Sequence, residues 1–469
     1  MRAYTGFAVS TLAVSLFGCA GTDPQNTTTD TVEQPASVAQ QAVQQTPSIS
    51  RTVGKKLMLI GTMTDAMVGS VTDDAIFVDR IASDVGGPEQ MRVLVIPGAS
   101  ATPNWFYTYM QALLVTRGVP LKNLELAHIA SEDDSSTPDV DESTWTNGAY
   151  ELSEVAKVMQ ANVIWFEGGD QDRLVPLMLD CSGRDSPVQA AIKAKLAANN
   201  LIIAGYSAGT AIMSDPMIGN GTSWGALTQP LSTDPDCASG DALCIARGLG
   251  YIPASYHVLT DQHFTQRGRF ARLVRGLSAT NQRTGWGVSS FTGFYVDLQK
   301  GRAEVVGVPA KANVTIIGRD GFKQNREQIG PPFLGENYTV SVLAAGDVYT
   351  LPDAGHPHGV ASHPVAGDYY APFSAYYEDM PIFTDALGGQ VLVDNIAAYF
   401  ADGTAQTSGA RVDAIAFLAN ESGSASGFRF RFTADNQSQV AWNEDVGYSM
   451  FNARLKISTI SAQFTGIGP

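Results

Sequence analysis

Leu201-Ile202-Ile203-Ala204-Gly205-Tyr206-Ser207-Ala208-Gly209 decides how the rest of this 469-residue chain is read. Leu201 to Ala204 is a continuous apolar run, the pattern of a strand buried on both faces. It passes without a spacer into a serine flanked by small residues, and a helical run from Thr210 to Met213 follows. A serine on such a strand-to-helix turn is a nucleophile elbow. The reason is steric: a sharp turn holds the serine exposed, and only small neighbours let backbone and substrate approach it. The helix N-terminus then supplies N–H groups where an oxyanion would develop. A tight structural turn without chemistry is the plainer alternative.

The same strand pattern recurs on either side. Leu57-Met58-Leu59-Ile60-Gly61, Val93 to Ile96 and Val163 to Phe166 are short apolar runs that end in glycine-containing turns. Helical patterns lie between them, at Pro103–Val115, Glu151–Gln160 and Pro187–Ala198, the last opened by Ser186-Pro187 as N-cap and first-turn proline. This alternation predicts an α/β fold with a doubly wound, mostly parallel sheet. After about Gly285 the helices thin out, and Ala303–Val308, Val314–Ile317 and Tyr338–Leu343 read as strands closing a main domain over residues 55–352. Further on, Phe428-Arg429-Phe430-Arg431-Phe432 alternates as a half-buried strand does. With Val391–Val393, Ile415–Leu418 and Leu455–Ile457 it predicts a separate small β-sandwich-like domain over residues 370–469.

The amino terminus has a different character. Arg2, an apolar stretch from Phe7 to Phe17, and Gly18-Cys19 resemble a lipoprotein signal, cut before a cysteine that is then lipidated. An ordinary secretory signal is the alternative, and both readings export the protein. Residues 1–18 are thus expected to be removed and Cys19 to carry a lipid anchor. Residues 19–54, rich in Thr, Gln, Pro, Ala and Ser, form a tether with too little apolar surface to order itself. The expected location is the outer membrane, the periplasm or the cell exterior.

Composition narrows the function classes. Charged residues are 16% of the chain, against a usual ~25%. Thirty basic and 46 acidic residues give a net charge of −16, so no basic field exists for a nucleic acid partner. Four cysteines exclude a small disulfide-framework protein. Cys237 and Cys244, close together in a Gly/Asp/Ser-rich loop, are candidates to pair after export, which would leave Cys181 a lone thiol.

A serine needs a base. Of the six histidines, His263 stands out, in Asp261-Gln262-His263-Phe264-Thr265-Gln266-Arg267-Gly268-Arg269-Phe270-Ala271-Arg272. Arg269 and Arg272 lie three apart, on one face of a helix, and clustered guanidiniums suit carboxylate recognition; a solvated basic helix is the alternative. A third element, Phe166-Glu167-Gly168-Gly169-Asp170-Gln171, again ends a buried strand, so Gln171 and Ser207 should share the crevice at the carboxyl ends of the strands. His356-Pro357-His358 with His363 raises the question of a metal, but the loop setting and the proline favour a surface turn.

Taken together, Gly168-Gly169-Asp170-Gln171, Gly205-Tyr206-Ser207-Ala208-Gly209 and the Asp261-to-Arg272 cluster resemble the cyanophycinases, extracellular type, of the serine peptidase family that also holds the aspartyl dipeptidases (peptidase E). The resemblance covers roughly residues 55–350. It implies a class I glutamine amidotransferase-like fold, Ser207 as nucleophile and His263 as base. It also implies substrate-binding roles for Gln171, Asp261, Gln262, Arg267, Arg269 and Arg272, and no metal or organic cofactor. The implied substrate is cyanophycin, a poly-aspartate with arginine on each β-carboxyl, cut to β-Asp-Arg dipeptides; other β-aspartyl peptides are the alternative. A homodimer stays open.

The chain departs from the family pattern at one place. Where the family carries its triad acid the sequence reads Gly287-Val288-Ser289-Ser290, which puts Ser290 at the acid position. The dipeptidases place their acid soon after the nucleophile, and Gly219-Asn220-Gly221-Thr222-Ser223 has none. Three readings follow: a hydroxyl of Ser289 or Ser290 orients His263, another carboxylate such as Asp215 or Asp297 reaches the site, or the chain binds the polymer without turnover.

Overall fold

A computed structural model of the chain describes residues 52–63, 71–237, 240–309, 311–319, 327–362, 382–384, 411–419, 424–443 and 447–463. The expected signal peptide, Cys19 and most of the tether lie outside the described residues, as do Val391–Val393 and His363.

The continuous apolar runs form a parallel sheet core. Strands β1 (Gly54–Ile60), β2 (Val93–Ile96), β3 (Leu124–Leu126), β4 (Val163–Phe166) and β5 (Asn200–Tyr206) are ordered β1-β5-β4-β2-β3 and pair in parallel. Helices α1 (Val71–Val85), α2 (Pro103–Thr116), α3 (Leu152–Gln160), α4 (Gln171–Met178) and α5 (Pro187–Ala197) cover the two faces. Covering both faces is why these strands read as unbroken apolar runs: Leu201, Ile202, Ile203 and Ala204 are all fully buried. The Ser186 side chain caps α5 by accepting from the Gln189 N–H at 3.2 Å, with Pro187 in the first turn.

Past β5 the chain forms the short helix α6 (Ala208–Ala211), strand β6 (Met217–Asn220), helix α7 (Ser223–Thr228), strand β7 (Cys244–Ala246) paired to β6, strand β8 (Val258–Gln262), helix α8 (Phe270–Thr280) and strand β9 (Thr284–Val288). Strands β10 (Thr292–Asp297) and β11 (Arg302–Gly307) return to the first sheet, antiparallel beyond β1. Then β12 (Asn313–Arg319), β13 (Glu327–Gln328) and β14 (Leu334–Ala344) join β9 and β8 in a second sheet, while β15 (Val348–Thr350) and β16 (Val360–Ser362) finish the first. The first sheet is therefore mixed, a parallel core with an antiparallel flank.

The C-terminal region is β-rich, as expected, but its described strands do not stand apart. Strands β17 (Ile382–Thr384), β18 (Arg411–Ala419), β19 (Ser424–Thr433), β20 (Gln439–Asn443) and β21 (Gly447–Gln463) extend the second sheet, in the order β17-β18-β19-β21-β14-β12-β9-β8. The added β-rich region is thus present, and its described strands share a sheet with the main domain. The physical reason is the long edge of β14, which pairs with β21 from Gly335↔Ile457 to Val342↔Met450. The inward faces of Phe428, Phe430 and Phe432 then pack on the helical layer of the main domain, with Phe270 of α8 at 6.2 Å from Phe430 and 5.9 Å from Phe432 between ring centroids.

Candidate active site

Ser207 stands directly after β5 with φ 52° and ψ −112°, a positive φ that a non-glycine residue adopts only where its surroundings enforce it, at a cost on the order of 1–3 kcal/mol. Gly205 and Gly209 are what permit the turn. A Cβ on Gly205 would run into the Gly209 carbonyl and one on Gly209 into Phe166 of the neighbouring strand. The Ser207 N–H donates to the Ile60 carbonyl at 3.0 Å, which ties the elbow to β1.

His263 follows β8 in the second sheet and also has a positive φ, 46°. Its backbone N–H donates to the Gly61 carbonyl at 3.3 Å, so the loop after β1 holds both residues. The outcome is a hydrogen bond of 2.8 Å between Ser207 Oγ and His263 Nε2, within the reach a nucleophile and its base require. Burial, together with Arg267, Arg269 and Arg272, lowers His263 to about 3. The imidazole is thus neutral, and able to accept the serine proton, across the ordinary pH range.

The pair opens on a polar cleft of about 240 Å³ lined by Gly169, Asp170, Gln171, Asp172, Ser207, Gly219, Asn220, Cys237, Gln262, Arg267, Arg269 and Arg272. Gln171 begins α4, which Asp170 caps by accepting from the Asp172 N–H at 2.9 Å. Its side-chain amide donates to the Gly219 carbonyl and, at 3.3 Å, to Ile218.

The arginines divide into two kinds. Arg272 makes a two-pronged ion pair with Asp261, Nε to Oδ2 at 2.8 Å and Nη2 to Oδ1 at 2.6 Å, and donates to the Gly221 carbonyl at 2.8 Å. Arg269 Nη1 donates to the Gln262 carbonyl at 2.7 Å and to Gln262 Oε1 at 2.6 Å. Arg267 is exposed, and among the described residues its guanidinium has no hydrogen bond or ion pair. Asp261 is buried behind the cleft and does not line it. The opposite wall is acidic: burial and then Asp170, Asp234 and Asp236 raise Asp172 to about 7.

The triad's third member is where sequence expectations change. Among the described residues no carboxylate lies within 4.0 Å of the His263 ring, and no hydroxyl hydrogen-bonds to it besides Ser207. The Ser289 hydroxyl is occupied, accepting from Thr265 Oγ1 at 3.0 Å and donating to Asn313 Oδ1 at 2.7 Å. Ser290 is buried, and its N–H donates to Gln266 Oε1 at 2.8 Å. Asp215 pairs with Arg247 and Asp297 with Lys300. Neither Ser289, Ser290, Asp215 nor Asp297 orients His263.

Cys237 and Cys244 are disulfide-bonded, with Cα atoms 5.6 Å apart. Cys181 is exposed and also disulfide-bonded, not the lone thiol expected. Among the described residues no group of three or more His, Cys, Asp or Glu is placed to hold a metal ion. Sequence reading gave no place in the cleft to Asp172, Asn220 or Cys237, the last of which it named only as a disulfide candidate. Asp172 adjoins Gln171 and was legible as a neighbour, whereas Asn220 and Cys237 reach the cleft through the β6–β7 pairing, which leaves no local signal.

No family model matches the chain. Among curated proteins it is similar to the cyanophycinase of Geminocystis herdmanii, 32% identical over 195 residues, 41% of this chain and 63% of that one. It is likewise similar to the cyanophycinase of Trichormus variabilis, 31% identical over 205 residues, 43% of this chain and 61% of that one. The chain thus spans a little under two thirds of the length of these relatives. A solved structure of a peptidase from an acI-B1 Actinobacterium aligns at a TM-score of 0.40 and 16% identity, over 64% of this chain and 97% of that one.

Proposed function

We propose that this chain is an exported serine peptidase of the cyanophycinase family that hydrolyses the aspartate backbone of cyanophycin (multi-L-arginyl-poly-L-aspartate) to β-Asp-Arg dipeptides. The observation that carries the reading is the 2.8 Å contact between Ser207 Oγ and His263 Nε2 at the floor of an arginine-lined cleft.

In this mechanism Ser207 Oγ passes its proton to His263 Nε2 and attacks the backbone carbonyl, while the amide after Ser207 donates to the developing oxyanion. His263 returns the proton to the leaving amine, and water admitted by the same base releases the acyl group. Arg267, whose guanidinium has no hydrogen bond or ion pair among the described residues, takes a free carboxylate of the substrate. Arg269 and Arg272 hold Gln262 and Asp261, which shape the wall.

A second reading is favoured by one observation, the absence among the described residues of a carboxylate beside His263. In that reading the chain is a weakened or inactive relative that binds the polymer or other β-aspartyl peptides. Incubating purified protein with insoluble cyanophycin and measuring soluble β-Asp-Arg separates the two. Release that disappears in Ser207→Ala supports hydrolysis. Binding without release by the wild type leaves the polymer-binding reading, and release of other β-aspartyl peptides alone redirects the substrate.

A further inference from the structure

Glu167 is the first residue past β4 and is fully buried. Among the described residues neither of its carboxyl oxygens has a hydrogen-bond partner, and no ion pair reaches it. An ionised carboxylate in such a place bears a desolvation cost that nothing offsets, so the group sits there as the neutral acid. Burial is indeed the main cause that pushes it well above the usual carboxylate range, with Asp134 adding to the shift; the nearby Ser100 hydroxyl, short of hydrogen-bonding geometry, only tempers it.

What lies around Glu167 gives this a consequence. The Glu167 N–H donates to the Ile96 carbonyl at 3.1 Å, and the Asp170 N–H donates to the Ala99 carbonyl at 2.9 Å. Between these anchors Gly169 has φ 133° and lies so close to the Ala99 carbonyl that a Cβ would collide with it. Gly168 is pressed in the same way against the Tyr206 ring, next to the nucleophile. The turn that carries Asp170 and Gln171 into the cleft is therefore packed directly over a carboxyl. The titratable groups facing it are Asp134 from the loop after β3 and Tyr206 from β5. Arg173 of α4 is committed to the Ala99 carbonyl at 2.8 Å and to Glu132 at 3.1 Å.

We propose that Glu167 is a positioning residue that works as a proton-bearing lock: neutral, it seals the space beneath the Gly168–Gly169 turn, and on losing its proton it draws in water, lifts the turn and takes Gln171 out of the cleft. The proposal deepens the hydrolytic reading of the Ser207 site, and its test requires no turnover.

The sign of the effect is fixed by linkage. The folded state holds the Glu167 proton more tightly than the unfolded chain, whose glutamates titrate near ~4.3. Its contribution to stability is therefore complete below that value and is lost as pH rises towards the folded value. Thermal unfolding of the full chain and of Glu167→Gln, which keeps the shape without the titration, should give midpoints that differ least near pH 4.5. The difference should widen in favour of the variant by ~2 °C or more towards pH 9. Hydrogen exchange over residues 167–172 should be equal in the two proteins at pH 6 and faster in the wild type at pH 9. A stability difference that does not change with pH, or equal exchange at pH 9, overturns the proposal. If Glu167→Gln fails to fold, Glu167→Met takes its place under the same criteria. Absence of cyanophycin cleavage would refute the hydrolytic reading and leave both of these readouts intact.

Discussion

Ser207 and His263 belong to two different sheets and meet at 2.8 Å across the loop that follows β1. The nucleophile leaves the parallel core at β5, the base leaves β8 of the second sheet, and the carbonyls of Ile60 and Gly61 tether one backbone each. The pair is oriented by main-chain anchors rather than by a carboxylate.

This arrangement predicts an unusual acid limb. With burial and three arginines lowering His263 to about 3, the imidazole remains neutral and basic far below the ~6.5 at which histidine ordinarily protonates. The rate, kcat/KM, should therefore hold as pH falls through 6 and decline only towards 3, and the His263 ring should titrate there by NMR. A midpoint between 6 and 7 in both measurements would mean that a partner for the imidazole has been overlooked.

Supplying the missing charge should help. Ser290→Asp places a carboxylate at the position where the sequence resemblance leads one to expect it. It should raise kcat by about tenfold or more, well short of the ~10⁴ a triad acid can contribute. It should also move the His263 titration upward, since an adjacent negative charge favours the imidazolium. Circular dichroism checks that the variant folds, and Ser207→Ala in the same background must abolish the gain.

The two kinds of arginine should separate in mutagenesis. Arg267→Ala removes a guanidinium with no protein partner, so KM should rise ~10-fold, about 1.4 kcal/mol, with Tm unchanged. Arg272→Ala strips the buried Asp261 of its two-pronged partner and leaves it only Arg269 Nη1 at 3.7 Å, which should destabilise the fold by about 3 kcal/mol. Denaturant unfolding and Michaelis analysis of the same preparations distinguish the two, and equal stability losses would contradict the division.

Reduction should act on the cleft. Cys237 lines the wall and is closed to Cys244 by a bond spanning seven residues. The double variant Cys237→Ser, Cys244→Ser should lose about 2 kcal/mol of stability and raise KM more than it lowers kcat. A reducing agent should reproduce the KM change in the wild type and leave the KM of the variant unchanged.

Much of the first sheet was legible because strands covered on both faces must be apolar throughout, and Leu201–Ala204 advertises its place before Ser207 is considered. The base was legible as a residue but not as a location. β8 reads Val258-Leu259-Thr260-Asp261-Gln262, and although all five are buried, its polar half disguises a strand as a charged cluster. The arginines misled for a related reason. Spacing shows that Arg267, Arg269 and Arg272 are neighbours, but not that Asp261, eleven residues before Arg272, neutralises one of them inside the protein. The C-terminal strands were recognised by their alternation, yet alternation is silent about which edge a strand will join, and the open edge of β14 belongs to residues more than a hundred positions earlier.

That last junction bears on how the molecule may be cut. The stretches aligned with the cyanophycinases amount to 41% and 43% of the chain, and they invite the idea of a minimal catalytic fragment. Removing residues 411–463 would strip β21 from β14 and uncover Phe270, in the same sheet-and-helix layer from which His263 projects. Resemblance and foldability therefore draw different borders here: the Ser207–His263 pair takes its base from a sheet that only the C-terminal strands complete.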